Sequence, residues 1–373
     1  MRIQVAKPII YPIDFFRVGK AMLTREMSGY SNQYLPKFES KFKEVSGTKF
    51  LSAVNSGTSA IFLSLAALNL PKGTKVAVSS YTNMASFFPV LQLGLIPVPI
   101  DIELETYNMC YTDLDKVMDK SFGAIIVVHI FGNPARMDKI MEIAKNFNVP
   151  IIEDCAEAHG AQFQGKPVGS FGLAGCFSFY ANKLIGMGEG GAISTNNEIF
   201  YRKINEMRSL GFGQVNKFLH ESDGYNFRMT NIQAALGLSQ VANLNIITQK
   251  KKSIARAYSE ILKHFSEFKL PFTSDDKSNV TWMYHLALVC GHSECRDIVI
   301  SEMSKIGVEL RPGFIPYSDQ DKVLSKFKAT TRLTPNASKA GKSTFYLPTS
   351  HNLKTHQINF IANSLIDIVH RLH

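Results

Sequence analysis

The chain has 373 residues, 45% of them hydrophobic and 19% charged. That balance excludes a disordered or coiled-coil chain and supplies enough apolar side chains for a large core. The net charge of +10 favours anionic partners; with no zinc-finger, RNA-recognition or basic-aromatic repeat pattern, a small acidic substrate explains it as well as a polynucleotide does.

The opening segment, MRIQVAKPIIYPIDFF, is interrupted by prolines and lacks the layout of a signal peptide. A strand-like run ends at Asn55, and SGTSAIFLSLAALNL (56–70) follows as an amphipathic helix with Ile61, Leu65 and Leu68 on one face. The longest apolar stretch, 84–100, holds Pro89, Pro97 and Pro99 and is broken by Gln92 and Gly94. It reads as a buried helix followed by a strand rather than a membrane span. KVAVSSY (75–81), IPVPIDI (96–102), AIIVVHIFG (124–132) and VPIIEDC (149–155) read as buried strands, with MDKIMEIAKNFN (137–148) a helix between the last two. Near-continuous apolar strands alternating with helices indicate an α/β fold with a mainly parallel central sheet covered by helices. Beyond residue 230 the pattern changes. Residues 230–265 read as one long or two consecutive helices, followed by a strand (281–290), a helix (296–307), an extended piece (308–314) and a last helix (355–372). This predicts a large domain over 1–240 and a smaller α+β C-terminal domain over 241–373. The five cysteines (Cys110, Cys155, Cys176, Cys290, Cys295) form no C-x-x-C pair, so neither a metal site nor a disulfide framework is suggested, and a cytoplasmic protein with reduced thiols is expected.

Residues 151–195 carry the strongest chemical signal. Asp154 ends an apolar strand, where ligands sit in parallel sheets. An acid there can keep a pyridine nitrogen protonated, or can simply cap the chain. Lys183 has apolar neighbours on both sides and four glycines close behind it (Gly186, Gly188, Gly190, Gly191). Such a setting favours a neutral, nucleophilic amine over a solvated surface ammonium. Gly57 and Thr58 open the helix after Asn55-Ser56, where free amides suit a phosphate or serve an ordinary N-cap. Ser178 is near enough to Lys183 to add a phosphate hydroxyl. A lysine to form a Schiff base and an aspartate for the ring nitrogen are what pyridoxal 5'-phosphate (PLP) requires.

Taken in order, NSGTSA (55–60), IIEDCAEAHGA (151–161), VGSFG (168–172), CFSFYANK (176–183), GEGGAIST (188–195) and GYNFRMTNIQAALG (224–237) resemble the DegT/DnrJ/EryC1/StrS sugar aminotransferases. The resemblance runs from VAKPII (5–10) to RPGFIPY (311–317). It implies the aspartate-aminotransferase-like fold (PLP fold type I), PLP as cofactor, and amino transfer from L-glutamate to a keto-sugar in lipopolysaccharide-type amino sugar biosynthesis. It implies that Lys183 carries the cofactor and shuttles protons and that Asp154 meets the ring nitrogen. It places Glu157 by the ring hydroxyl and Gly57, Thr58 and Ser178 at the phosphate. Asn226 then reaches the phosphate of a neighbouring subunit, which makes a homodimer with shared sites. His159, Arg228 and Arg311 are candidates for substrate contact, Arg311 because a guanidinium pairs with phosphate or carboxylate; interface or structural ion pairs are the alternatives for the two arginines. Lys183 argues against the branch that has histidine there and deoxygenates its sugar.

Two segments depart from the pattern. Asn83 stands where the family often has a ring-stacking aromatic, which leaves the stacking to Tyr81, to another side chain, or absent. Residues 24–42 are unusual at the substrate end. A nucleotide-linked 4-keto-6-deoxyhexose is therefore the first expectation. A free acidic octulosonate aminated at C8 is the second, and a PLP-binding transcriptional regulator is an alternative of another class.

Overall fold

The computed structural model describes residues 2–212, 218–220, 223–272, 277–289, 293–329 and 331–372. Two helices open the chain, α1 (Pro12–Leu23) and α2 (Leu35–Ser46). The segment 24–42, which stood apart in the sequence, thus runs from the end of the first helix into the second. There follow β1 (Phe50–Val54), α3 (Gly57–Ala66), β2 (Lys75–Ser79), β3 (Ile96–Ile100), β4 (Phe122–Val128), α4 (Met137–Phe147), β5 (Ile151–Asp154), β6 (Ala174–Ser178) and β7 (Gly191–Thr195). These strands form one seven-stranded sheet in the order β1-β7-β6-β5-β4-β2-β3. Neighbours from β6 through to β3 run parallel, while β7 lies antiparallel between β1 and β6.

The sheet is buried on both faces, which is why its strands lack polar alternation. Val76, Val78, Ile126 and Ile152 face α3, packing with Ile61 and Leu65. Their strand neighbours Ala77, Ile125, Val127 and Ile151 face the other way, against Ile140 and Ile143 of α4. The period-2 pleat therefore sorts consecutive residues into two cores.

The C-terminal part starts with two consecutive helices, α5 (Asn231–Ala242) and α6 (Leu244–Leu262), which meet at Asn243. A four-stranded antiparallel sheet follows, built from β8 (Phe268–Lys269), β9 (Tyr284–Leu288), β10 (Arg311–Pro312) and β11 (Thr344–Leu347) in the order β8-β9-β11-β10. Helix α7 (Thr355–His370) closes it through Ile361, Leu365 and Ile368. Cys290, at the end of the sequence-read strand, lies outside the described residues. Among the described residues no helix is long and apolar enough to cross a membrane.

Candidate active site

A cavity of about 330 Å³ opens where the parallel strands end, and the small sheet supplies its far wall. Parallel sheets place ligands at this edge because loops leave all the strands on the same side. Each wall can be traced to its element.

Asp154 is the last residue of β5 and is buried. Its Oδ2 accepts from Ser86 Oγ at 2.8 Å and its Oδ1 from the Ala156 amide at 3.1 Å. Burial pushes its pKa up, and these two bonds with the nearby Lys183 and His129 pull it back. Glu157 lies three residues on, with Oε2 accepting from the Phe131 amide at 2.6 Å. Burial pushes its pKa up to about 7, against the pull of Lys183 and the Phe131 amide, with Asp154 adding to the rise. Phe131 itself has a left-handed backbone (φ 54), which turns its amide towards this carboxylate.

Lys183 sits in the loop between β6 and β7. Its Nζ lies 3.9 Å from Glu157 Oε1 and 4.0 Å from the centre of the Trp282 indole. Burial lowers its pKa, and Glu157 and Asp154 oppose that shift. The amine is thus held near acids while its charged form is penalised, the condition for a proton-exchanging nucleophile.

The opposite end of the cavity is the first turn of α3. Ser56 caps it, its Oγ accepting from the Ser59 amide at 3.1 Å. Gly57 and Thr58 therefore begin the helix with amides that have no intrahelical acceptor, and both line the cavity beside Ser178. A Cβ on Gly57 would stand 2.7 Å from Ser178 Cβ, so only glycine lets the helix start this close to β6. Unpaired helix amides, the positive end of the helix dipole and a serine hydroxyl suit a phosphate. With Asp154, Glu157 and Lys183 in the same cavity, the residues present fit PLP.

Arg311 lines the same cavity from β10, its Nε donating to Glu309 Oε1 at 3.0 Å. Asn226 does not: it is exposed, in a bridge with Ser209. Arg228 also lies outside the cavity lining, bridged to Val54, with its guanidinium 4.6 Å from the centre of the Tyr30 ring. His159 corrects an expectation. It is fully buried among Phe42, Phe177 and Phe179, its Nδ1 accepting from the Ile185 amide at 3.3 Å. Burial lowers its pKa to about 3, so it is a neutral core imidazole behind the Lys183 loop, not a group facing substrate. Tyr81 was one of the alternatives for the stacking side chain. It is buried in the cluster of Tyr107, Phe131 and Phe314 rather than in the cavity wall. Asn83 does line the cavity, but its carbonyl is engaged with the Ala85 amide at 2.9 Å. The aromatic side chain over the lysine amine is Trp282, which sequence reasoning missed along with Ser86, Phe131 and Tyr346. Its position 99 residues from Lys183 left no local signal.

The model of the DegT/DnrJ/EryC1/StrS aminotransferase family matches residues 21–366. The chain is 32% identical to GDP-perosamine synthase of Escherichia coli O157:H7 over 89% of each chain. It is 35% identical to GDP-perosamine synthase of Caulobacter vibrioides, over 84% of this chain and 85% of that one. The aminotransferase of Psychrobacter cryohalolentis superposes with a TM-score of 0.89 over 98% of each chain, at 27% identity.

Proposed function

Because the chain belongs to the DegT/DnrJ/EryC1/StrS aminotransferase family and is a PLP-dependent sugar aminotransferase, we propose that it moves the amino group of L-glutamate to a nucleotide-linked keto-sugar. A 4-keto-6-deoxyhexose on its way to a lipopolysaccharide-type amino sugar is the substrate class. The observation that carries this reading is the single cavity that joins Lys183, Asp154 and Glu157 to the amide end of α3. The similarity to two GDP-perosamine synthases supports a nucleotide-linked substrate over a free acidic octulosonate or a regulatory role.

The chemistry divides among the chain's own residues. The Gly57 and Thr58 amides and the Ser178 hydroxyl would hold the phosphate. Asp154 would accept from the protonated ring nitrogen, a cation that would offset the cost of keeping this carboxylate buried. Glu157 stands by the ring hydroxyl. When bound, PLP supplies the electron sink for the carbon that carries the transferred nitrogen. Lys183, its charge disfavoured by burial, would hold the cofactor covalently and, once displaced by the incoming amine, would be free to move the proton at that carbon, with Glu157 3.9 Å away to stabilise the ammonium. Glutamate would give its amino group to the bound cofactor and leave as 2-oxoglutarate before the sugar enters to take that group, and Arg311 would meet the sugar's anionic group.

The reading includes a homodimer. Phe15, Phe16, Met22 and Leu23 of α1 are exposed apolar side chains, while the other face of the helix, with Asp14 and Ala21, is buried beside α5. Asn226 is exposed outside its own cavity, where a second copy can receive it.

Borohydride reduction of the purified enzyme followed by peptide mapping is expected to place the pyridoxyl group on Lys183. A label on another lysine rejects the assignment. Competition of GDP- and dTDP-linked keto-sugars with an oxidised octulosonate then reads the substrate class. Turnover of the octulosonate with inertness towards every nucleotide sugar overturns the proposal.

A further inference from the structure

Lys251 of α6 is buried, and it does not line the cavity. Its Nζ donates to the Trp282 carbonyl at 2.7 Å and lies 3.5 Å from Thr349 Oγ1. Among the described residues it has no carboxylate partner; burial alone pushes its pKa down, to about 7. The half-buried His351, in the loop before α7, feels the same ammonium: its pKa is lowered by burial and then by Lys251 and Lys250. A buried ammonium with no carboxylate partner is costly and asks for a reason.

The reason lies in what it grips. Trp282 follows Thr281, a β-branched residue with a left-handed backbone (φ 52), a conformation that neighbouring contacts must impose. Trp282 is fixed at three points. Its amide donates to the Phe131 carbonyl at 3.1 Å, its carbonyl accepts from Lys251, and its indole Nε1 donates to the Asn182 carbonyl at 2.9 Å. Asn182 immediately precedes Lys183, and the indole face meets the Lys183 amine. An indole in that place favours the charged amine and limits where it can point.

We propose that Lys251 is a positioning residue that clamps the Trp282 backbone and thereby sets the indole against the Lys183 amine. A helix that contributes nothing to the cavity wall thus governs the geometry of the reactive lysine. The inference rests on the reading of Lys183 given above for its consequence in catalysis, but not for the clamp itself.

Trp282 is the only tryptophan in the chain, so fluorescence excited beyond the absorption of the 13 tyrosines reports this position alone. Acrylamide quenching of the holoenzyme is expected to rise about twofold in Lys251→Met, which keeps the stem and removes the ammonium, and to return most of the way in Lys251→Arg. In Lys251→Met, kcat falls about tenfold while the KM for the sugar stays within about twofold. Quenching equal to wild type in Lys251→Met overturns the clamp, and so does an arginine variant as impaired as the methionine one. Should Lys251→Met fail to fold, the pH titration of wild-type emission decides. A transition centred near pH 7 that persists in Glu157→Gln supports Lys251, and one that vanishes there overturns it. A borohydride label on a lysine other than Lys183 rejects the assignment of Lys183 and leaves the fluorescence result standing.

Discussion

Glu153 and Asp154 are consecutive on β5, yet the pleat sends them to opposite sides of the sheet and to opposite fates. Glu153 is fully buried and saturated. Its two oxygens accept from the amides of Gly169 (2.7 Å), Phe171 (2.8 Å) and Gly172 (2.8 Å) and from His129 Nε2 (3.1 Å). His129 Nδ1 accepts from the Ala135 amide, which leaves the proton on Nε2 to be donated. Asp154 receives one hydroxyl and one amide, and it borders the cavity. The same residue class one step apart is therefore a staple on one face and a reagent on the other. What separates them is the number of donors the protein commits to each, because a carboxylate with capacity left over can still receive a ligand.

The comparison breaks most visibly through Asp154→Asn. Catalytic efficiency is expected to fall by about 10³-fold or more while the melting temperature moves by only about 3 °C or less. Half-reaction rates with glutamate equal to wild type would show that both acids are structural. Glu153→Gln should behave in the inverse manner. Its new NH₂ group meets amide donors, which costs about 2–4 kcal/mol of stability and lowers the melting temperature by roughly 5–10 °C. Turnover per folded molecule should remain within about twofold of wild type. Calorimetry beside active-site titration separates the two losses.

Gly57→Ala probes the cavity side at its other end. The added methyl collides with Ser178, so PLP affinity, measured by equilibrium dialysis, should drop about 10- to 100-fold. The smallest effect belongs to Glu157, an acid between the two extremes, with one amide and one lysine. Its pKa in the fold is raised from the ordinary 4.5 to about 7. The stability it contributes is therefore complete below about pH 4.5 and is lost as pH rises through about 7. Glu157→Gln should flatten the fall in melting temperature of the cofactor-free protein across that window, as thermal scans at stepped pH will read.

The sequence made one side of this site legible and left the other dark. Gly57, Thr58, Asp154 and Ser178 were readable because each sits at a strand end or helix start, Lys183 because its loop is apolar and rich in glycine, and Glu157 through the family motif around it. The helix over 137–148 and the buried strands were equally plain, since apolar periodicity is a local property. Trp282, Ser86 and Tyr346 carried no such mark. Ser86 reaches Asp154 only because β2 and β5 both flank β4, and Trp282 reaches Lys183 only through the small sheet and α6. Strand β11, four residues long beside a glycine and lysines, offered too little period to read. His159 misled for a related reason. Its place in the motif is local, whereas the three phenylalanines that enclose it come from α2 and β6 and from the loop that follows β6.

The loop that carries Lys183 is cross-linked almost to its tip. Phe179 donates to the Gly190 carbonyl and receives the Met187 amide, Ala181 donates to Gly188, and Lys183 itself donates to Tyr180. Its stem continues the antiparallel pairing of β6 with β7, in which Ser178 faces Gly191. Ordering a free backbone costs about 1–2 kcal/mol per residue, but here that ordering is completed as the hairpin forms, from contacts close in sequence. The main chain that carries the amine is therefore ordered without a ligand. Binding energy that would otherwise be spent on ordering this backbone is then free for orienting the sugar.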